Sequence, residues 1–341
     1  MIATLLVVTA TMYGALMLFP TGARIVLYMD GEQPLRTSEE WDAAADIILE
    51  KNDLEAPFLV QYFSWIQNLF KGNWGYSWML GDNIFHALLR YAPATIELTI
   101  YSLLLLIPLG MLSGMMAGLR KNSLFDWVFR IFAFTATSVP LFIVVIIMLS
   151  IFYISLHWFP PGRIGISTDL FLKSGAFKTF TGLLTIDGLL NGRWDISLEA
   201  FRHLAIPVFA LSLAHWATLS RVTRATVIDE LGKEYIVSAS AKGLPWRVVV
   251  WRHIFRNVLT PVLTNSALSA TSLISGVYIV ELICNFRGIS NFIIFGLMET
   301  DIPAVIGFSI YSILSVLLIM FVLDLAQAIT DPRIREEVMG R

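Results

Sequence analysis

Long apolar runs separated by short polar stretches dominate this chain. Six runs, at about 1–19, 94–119, 131–159, 203–220, 258–283 and 302–323, match the roughly 20 apolar residues that a helix needs to cross a bilayer. The pattern predicts an all-α membrane protein with about six transmembrane helices. Runs 131–159 and 302–323 contain no Asp, Glu, Lys or Arg. The 29-residue run 131–159 is long enough that it must tilt or bend, and Pro140 offers the bend. Run 1–19 resembles a secretory signal in length but lacks a basic n-region and a small-residue cleavage site, so it reads as a retained helix.

Between the runs lie two long polar stretches. In 20–93, Thr37-Ser38-Glu39-Glu40 reads as a capping box. Trp41, Ala44, Ala45, Ile48 and Leu49 then share one helical face. Pro57 opens a second helix carrying Phe58, Tyr62, Phe63, Ile66 and Leu69, whose aromatics suit a membrane interface or a protein contact. Gly72 to Ser77 predicts a turn before a helical segment Ile84–Arg90. The stretch 160–202 opens with Pro160-Pro161-Gly162 and is Gly-rich. No repeat or low-complexity tract interrupts 94–330, which reads as one membrane core followed by a tail, 331–341.

Charge orients the spans. With the N-terminus cytoplasmic, the inside segments 120–130, 221–257 and 330–341 hold 13 Lys+Arg and 7 Asp+Glu, a net +6. The outside segments 20–93, 160–202 and 284–301 hold 11 Lys+Arg and 16 Asp+Glu, a net −5. The positive-inside rule therefore places both termini in the cytoplasm. A composition of 56% hydrophobic and 15% charged residues excludes an ordinary soluble domain. The net charge of −2 implies no nucleic-acid partner.

The chemistry of an enzyme is missing. The chain has no GxxxxGK[ST] phosphate loop, no HExxH, no CxxC and no GxSxG elbow. The five histidines are scattered; His203 and His215 share a helical face but are too few for a metal site, and Cys284 reads as a small buried residue. No metal or cofactor is expected, and the protein reads as a non-enzyme. Glu97, Glu281 and Asp324 fall near span ends, where structural pairing explains them better than substrate contact. An ion-coupled carrier needs an acid at mid-membrane, and a channel or such a carrier is the rival class. A membrane scaffold, the third class, gives no reason for the hydroxyl-rich fifth span, 258–283. There Asn265, Ser269, Ser272 and Ser275 form a slowly drifting stripe, the candidate lining of a translocation path.

The segment 221–257 is a basic, amphipathic island. Its charges are too costly for hydrocarbon, so it lies at the membrane surface. Ser220 to Leu231 extends the fourth span and ends at Gly232. A second helix, Lys233 to Lys242, ends at Gly243, with Pro245 following. A third is expected from Pro245 to about Asn257, with basic Arg247, Arg252, His253 and Arg256. An amphipathic helix on anionic lipid explains the basic residues. It leaves unexplained the run Ser238-Ala239-Ser240-Ala241, which makes a helix narrow enough to enter a partner's groove.

On these residues the chain resembles the permease subunits of dipeptide/oligopeptide ATP-binding-cassette importers. The resemblance is carried by Arg-Val-Thr-Arg-Ala at 221–225, Glu234-Tyr235, Ala239 to Leu244, Arg252-His253, Arg256-Asn257 and Pro261. It extends to Asn73 to Ser77, Ala92 to Leu98, Trp158 to Gly162, Arg287-Gly288-Ile289 and Asp331 to Arg335. Val237-Ser238-Ala239 stands where the wider importer family has Glu-Ala-Ala before the glycine, a departure that the peptide branch shares. The start at Met1 also departs, since such permeases usually begin with a basic cytoplasmic stretch. The resemblance implies a cell-membrane subunit that pairs with a second permease, two ATPases and an extracytoplasmic binding protein. It implies an ATPase-coupling role for Glu234, Ala239, Ala241, Lys242, Gly243, Leu244, Arg252, His253 and Asn257. Peptides are the first expectation for substrate, with oligosaccharides and nickel chelates as alternatives.

Overall fold

A computed structural model describes residues 2–29 and 38–330. The chain divides into two compact units, Met1–Pro93 with Arg287–Leu317, and Ala94–Phe286 with Leu318–Arg341. The membrane core expected at 94–330 has residues in both units, and the tail 331–341 lies outside the described residues.

The first unit opens with α1 (Ile2–Leu16), α2 (Thr21–Ile25), a 3-10 turn Val26–Tyr28, α3 (Ser38–Lys51) and α4 (Phe58–Phe70). Ala44 and Ile48 of α3 turn inward as their spacing predicts. Thr37 of the expected capping box lies outside the described residues. Pro57 does precede α4, where its missing N–H costs nothing. The expected turn leads into a hairpin of two short strands, β1 (Tyr76–Ser77) on β2 (Asp82–Asn83). Its Gly75 adopts φ +84, and a side chain there would strike the Leu27 carbonyl at 2.8 Å. Tyr13, Leu16, Leu27, Leu54, Tyr62, Trp65 and Ile306 form the unit's core.

Helix α5 (Ile84–Leu119) begins at the end of that hairpin, ten residues before the span expected at 94–119. No helix end separates Ile84–Arg90 from it. Helices α6 (Leu124–Ser138) and α7 (Leu141–Met148, continued by wider π-type turns to Ser155) meet at 103°. The break falls at the expected proline. Pro140 sits at φ −56, ψ 140 and Val139 is extended, as a residue before proline prefers. The run expected to tilt or bend is a sharply broken pair. Short helices α8 (Ile166–Lys173) and α9 (Leu184–Leu190) follow.

Helix α10 (Trp194–Leu231) is the axis of the second unit and carries seventeen buried residues, including Pro207. The surface helix α11 (Glu234–Ala241) follows. Then α12 (Trp246–Val248) passes through π-type turns, Val249–Ile254, directly into α13 (Phe255–Ile283). The third cytoplasmic helix expected to end near Asn257 is therefore the first part of a 38-residue helix, Trp246–Ile283. Pro261 does not break it, because a proline in a membrane helix is tolerated where neighbours re-satisfy the freed carbonyl. Helices α14 (Ser290–Met298) and α15 (Ile302–Thr330) complete the chain.

Among the described residues, four helices are long and apolar enough to cross a membrane: α5, α10, Trp246–Ile283 and Ile302–Ile329. The broken α6–α7 pair adds a fifth candidate. The first expected span falls on the 15-residue α1, which at 1.5 Å per residue is about 22 Å long.

Close packing in the second unit rests on a glycine ladder that the sequence reading overlooked. Gly110, Gly114 and Gly118 lie at i, i+4 and i+8 on α5. A side chain at Gly110 would meet Leu219 of α10 at 2.8 Å, and one at Gly118 would meet Val227 at 2.8 Å. Gly114 abuts Ser220 and Thr223. Only hydrogen at these positions lets the two backbones approach so closely.

Candidate functional site

The site is built at the end of the second unit where α10, α11 and α13 meet, and its base is fixed before its tip is presented. Helix α10 ends at Gly232 as expected. Near that end, Glu230 is 5% exposed and is held by the Lys233 ammonium and the Tyr235 hydroxyl. The amide of Asn257, on α13, donates to Tyr235 Oη at 2.8 Å and to the His253 carbonyl at 2.9 Å. Tyr235 thus joins α11 both to the end of α10 and to the start of α13.

Helix α11 packs Ile236 and Ala239 into the main core, beside Val249, Val250 and Ile254. It closes with a Schellman motif. Leu244 N donates to the Ala239 carbonyl at 3.4 Å and Gly243 N to the Ser240 carbonyl at 3.0 Å. Gly243 takes φ +75 with open space around its Cα. That left-handed turn is what glycine at this position is for.

This geometry sorts the expected coupling residues. Glu234, Ala241, Lys242, Gly243, Leu244 and Arg252 are exposed, and His253 is half-buried. Ala239 is 7% exposed and is enclosed by this chain's own side chains. It is small so that α11 can lie against its own unit, and cannot itself enter a partner's groove. Asn257 is exposed, but its amide is engaged within the chain, which makes it a positioning residue.

Three contributors were given no role of their own by the sequence pattern. Glu230 and Tyr235 are the base just described. The third is an ion pair, Asp126 with Arg224: Nε at 2.5 Å and Nη2 at 2.8 Å. Asp126 is fully buried at the start of α6, where Asn122 N donates to it at 3.0 Å. The bidentate pair fastens the loop 120–124 to α10 ten residues before α11 begins.

The fifth-span stripe divides. Ser272 and Ser275 are exposed, in line with exposed Thr264, Leu268, Ile279 and Leu282. Ser269 is 7% exposed and faces inward. Asn265 is half-buried and gives its amide to the Pro261 carbonyl at 2.9 Å. A path-facing role is therefore open to Ser272 and Ser275, while Ser269 is packing surface.

At the opposite end of the unit the acids are structural. Glu97, 1% exposed, accepts from Thr185 N at 2.8 Å, Thr185 Oγ1 at 2.6 Å and Arg163 Nη2 at 2.9 Å. Glu281, equally buried, accepts from Thr95 Oγ1 at 2.5 Å. His203 directs Nδ1 at the Pro161 and Gly162 carbonyls. Asp324 is exposed on α15. Among the described residues no cluster of His, Cys, Asp and Glu is arranged to hold a metal.

Residues 107–336 match the family described as binding-protein-dependent transport system inner membrane component. The chain is 33% identical over 290 residues to the di/tripeptide transport system permease protein DppB of Pseudomonas aeruginosa (strain UCBPP-PA14), covering 85% of this chain and 84% of that protein. It is 29% identical over 287 residues to the oligopeptide transport system permease protein AppB of Bacillus subtilis (strain 168), covering 84% of this chain and 83% of that one. Against the dipeptide transport system permease protein DppB of Escherichia coli (strain K12) it is 28% identical over 315 residues, 92% and 90% of the two chains.

Proposed function

We propose, from the premise that this chain belongs to the family of binding-protein-dependent transport system inner membrane components, that it carries short peptides inward as half of a translocation path. The chain is a multi-pass inner-membrane permease subunit and not the ATPase, which resides on separate subunits. The proposed assembly pairs it with a second permease, two ATPases and an extracytoplasmic binding protein. Both termini and the segment 221–257 face the cytoplasm, in keeping with the net +6 of the inside segments against −5 outside.

The observation that carries the coupling role is a rigid base beneath an exposed tip. Tyr235, Glu230 and Asn257 fix α11 to α10 and α13. Ala241 to Leu244 project as a short, compact surface. An ATPase that moves this tip moves two spanning helices with it, and the bundle exchanges between two packings. Exposed Ser272 and Ser275 line the path in this reading.

The peptide assignment is tested in proteoliposomes holding the permease pair, the ATPases and the binding protein. Di- and tripeptides are expected to stimulate ATP hydrolysis and to accumulate inside. Oligosaccharides and nickel chelates are expected to do neither. Stimulation by a sugar or a nickel chelate in place of peptides contradicts the assignment.

A further inference from the structure

Helix α4, Phe58–Phe70, has thirteen residues and no Asp, Glu, Lys or Arg. Its inward side holds the groups that need partners. Gln61, 2% exposed, accepts from Arg24 Nη1 at 2.8 Å and donates to the Ala56 carbonyl at 2.6 Å. Tyr62 Oη shares a hydrogen bond with Thr9 Oγ1 at 2.8 Å and donates to the Leu6 carbonyl at 3.1 Å. The outward side is mostly apolar: Leu59 is 63% exposed, Val60 46%, Phe63 58% and Phe70 89%, and Gln67 is the one polar residue exposed on that arc. These fall on one arc, since Leu59, Phe63 and Phe70 lie at i, i+4 and i+11. This is the reverse of a helix capping a soluble face, which turns its polar side outward.

The depth of α4 follows from what it lies against. It packs along α1 rather than beyond its end, touching Leu6, Thr9, Tyr13 and Gly14. Those contacts cover about 12 Å of the α1 axis at 1.5 Å per residue. α1 itself exposes Leu6, Val7 and Val8, so the two helices present apolar side chains to the same surroundings.

We propose that α4 is a lipid-immersed helix, docked lengthwise on the first span with its Leu59, Phe63 and Phe70 face in the acyl chains of the bilayer. The inference rests on reading α1 as that span and replaces the picture of 20–93 as a wholly extracytoplasmic cap. It makes α4 a lipid anchor for the segment that follows it.

Nitroxide labels on Leu59→Cys, Phe63→Cys and Glu50→Cys, each in the assembled transporter in phosphatidylethanolamine–phosphatidylglycerol nanodiscs, test this. Glu50 is exposed on α3. The native Cys284 is buried, which pushes its thiol up to about 12 and leaves it unlabelled. At 59 and 63, collisions with oxygen are expected to exceed those with nickel-EDDA, and at 50 the order reverses. Nickel-dominated relaxation at 59 and 63 would show a water-facing helix. Shielding from both reagents would show a protein partner covering it. Either result overturns the lipid assignment. Neither touches the transport reading, which is judged by peptide uptake in the same assembly.

Discussion

Gly243→Val is expected to cut peptide uptake about tenfold while the permease remains folded in the membrane. The residue sits at φ +75, where a side chain costs about 1–2 kcal/mol, and a β-branched one is at the upper end. That cost is met locally, because nothing lies within 4 Å of the position a Cβ would take. The chain relieves the strain by opening the Schellman turn, which displaces Leu244 and the last turn of α11. At 1.4 kcal/mol per decade, the cost corresponds to about a tenfold loss of the tip conformation. Gly243→Asn, which tolerates this region of backbone, is expected to keep more activity than Val. Ala241→Trp adds bulk at an exposed position without backbone strain, and in this account it also uncouples. The measurement is the ratio of peptide transported to ATP hydrolysed. If Gly243→Val and Ala241→Trp both leave that ratio and the uptake rate unchanged, the tip has no part in coupling. Ala239→Trp is uninformative here, since its side chain would have to fit inside this chain's own core.

The second large effect belongs to Asp126. Its carboxylate is fully buried and Arg224 is 19% exposed. Arg130 stands further off, at 3.8 Å. Removing one partner of a buried pair leaves the other charge uncompensated, at a cost of about 3–5 kcal/mol. The partial exposure of Arg224 places Asp126→Leu near the lower end of that range. The double variant Asp126→Leu/Arg224→Met removes both charges and keeps the volume, so it is expected to regain most of the loss. Thermal unfolding of the purified assembly reads both. A double variant as damaged as the sum of two singles would mean that the two residues act independently and that no strut exists between loop 120–124 and α10.

Five of the six expected spans were legible because apolar runs of this length have few other uses, while the first fell on a helix of only 15 residues. The break at Pro140 was legible in place, since proline acts on its own neighbours. Its 103° angle was not, because it depends on what α6 and α7 pack against. Gly232 and Gly243 announced two helix ends correctly. The seam at Asn257 was misjudged because amphipathic and apolar stretches can share one helix, and Pro261, just beyond it, does not break that helix. Ala239 shows the limit of residue type: small size suits a partner's groove and a tight internal contact equally. Only the positions of Val249, Val250 and Ile254 decide for the second. Asp126 and Arg224 are 98 residues apart, a separation at which local periodicity is silent. The Gly110, Gly114, Gly118 ladder was available as a GxxxGxxxG pattern and went unused.

The central claim is that the α11 tip meets an ATPase on the cytoplasmic side. Site-directed cross-linking tests it directly, with Ala241→Cys as the reactive position and the assembly held in inside-out vesicles. Because Cys284 is buried, a thiol-reactive photo-crosslinker attaches at the introduced site. The account predicts one adduct, between this chain and an ATPase subunit, whose yield changes when nucleotide is trapped. An adduct with the extracytoplasmic binding protein, or labelling of Ala241→Cys by an impermeant reagent in right-side-out cells, would contradict it.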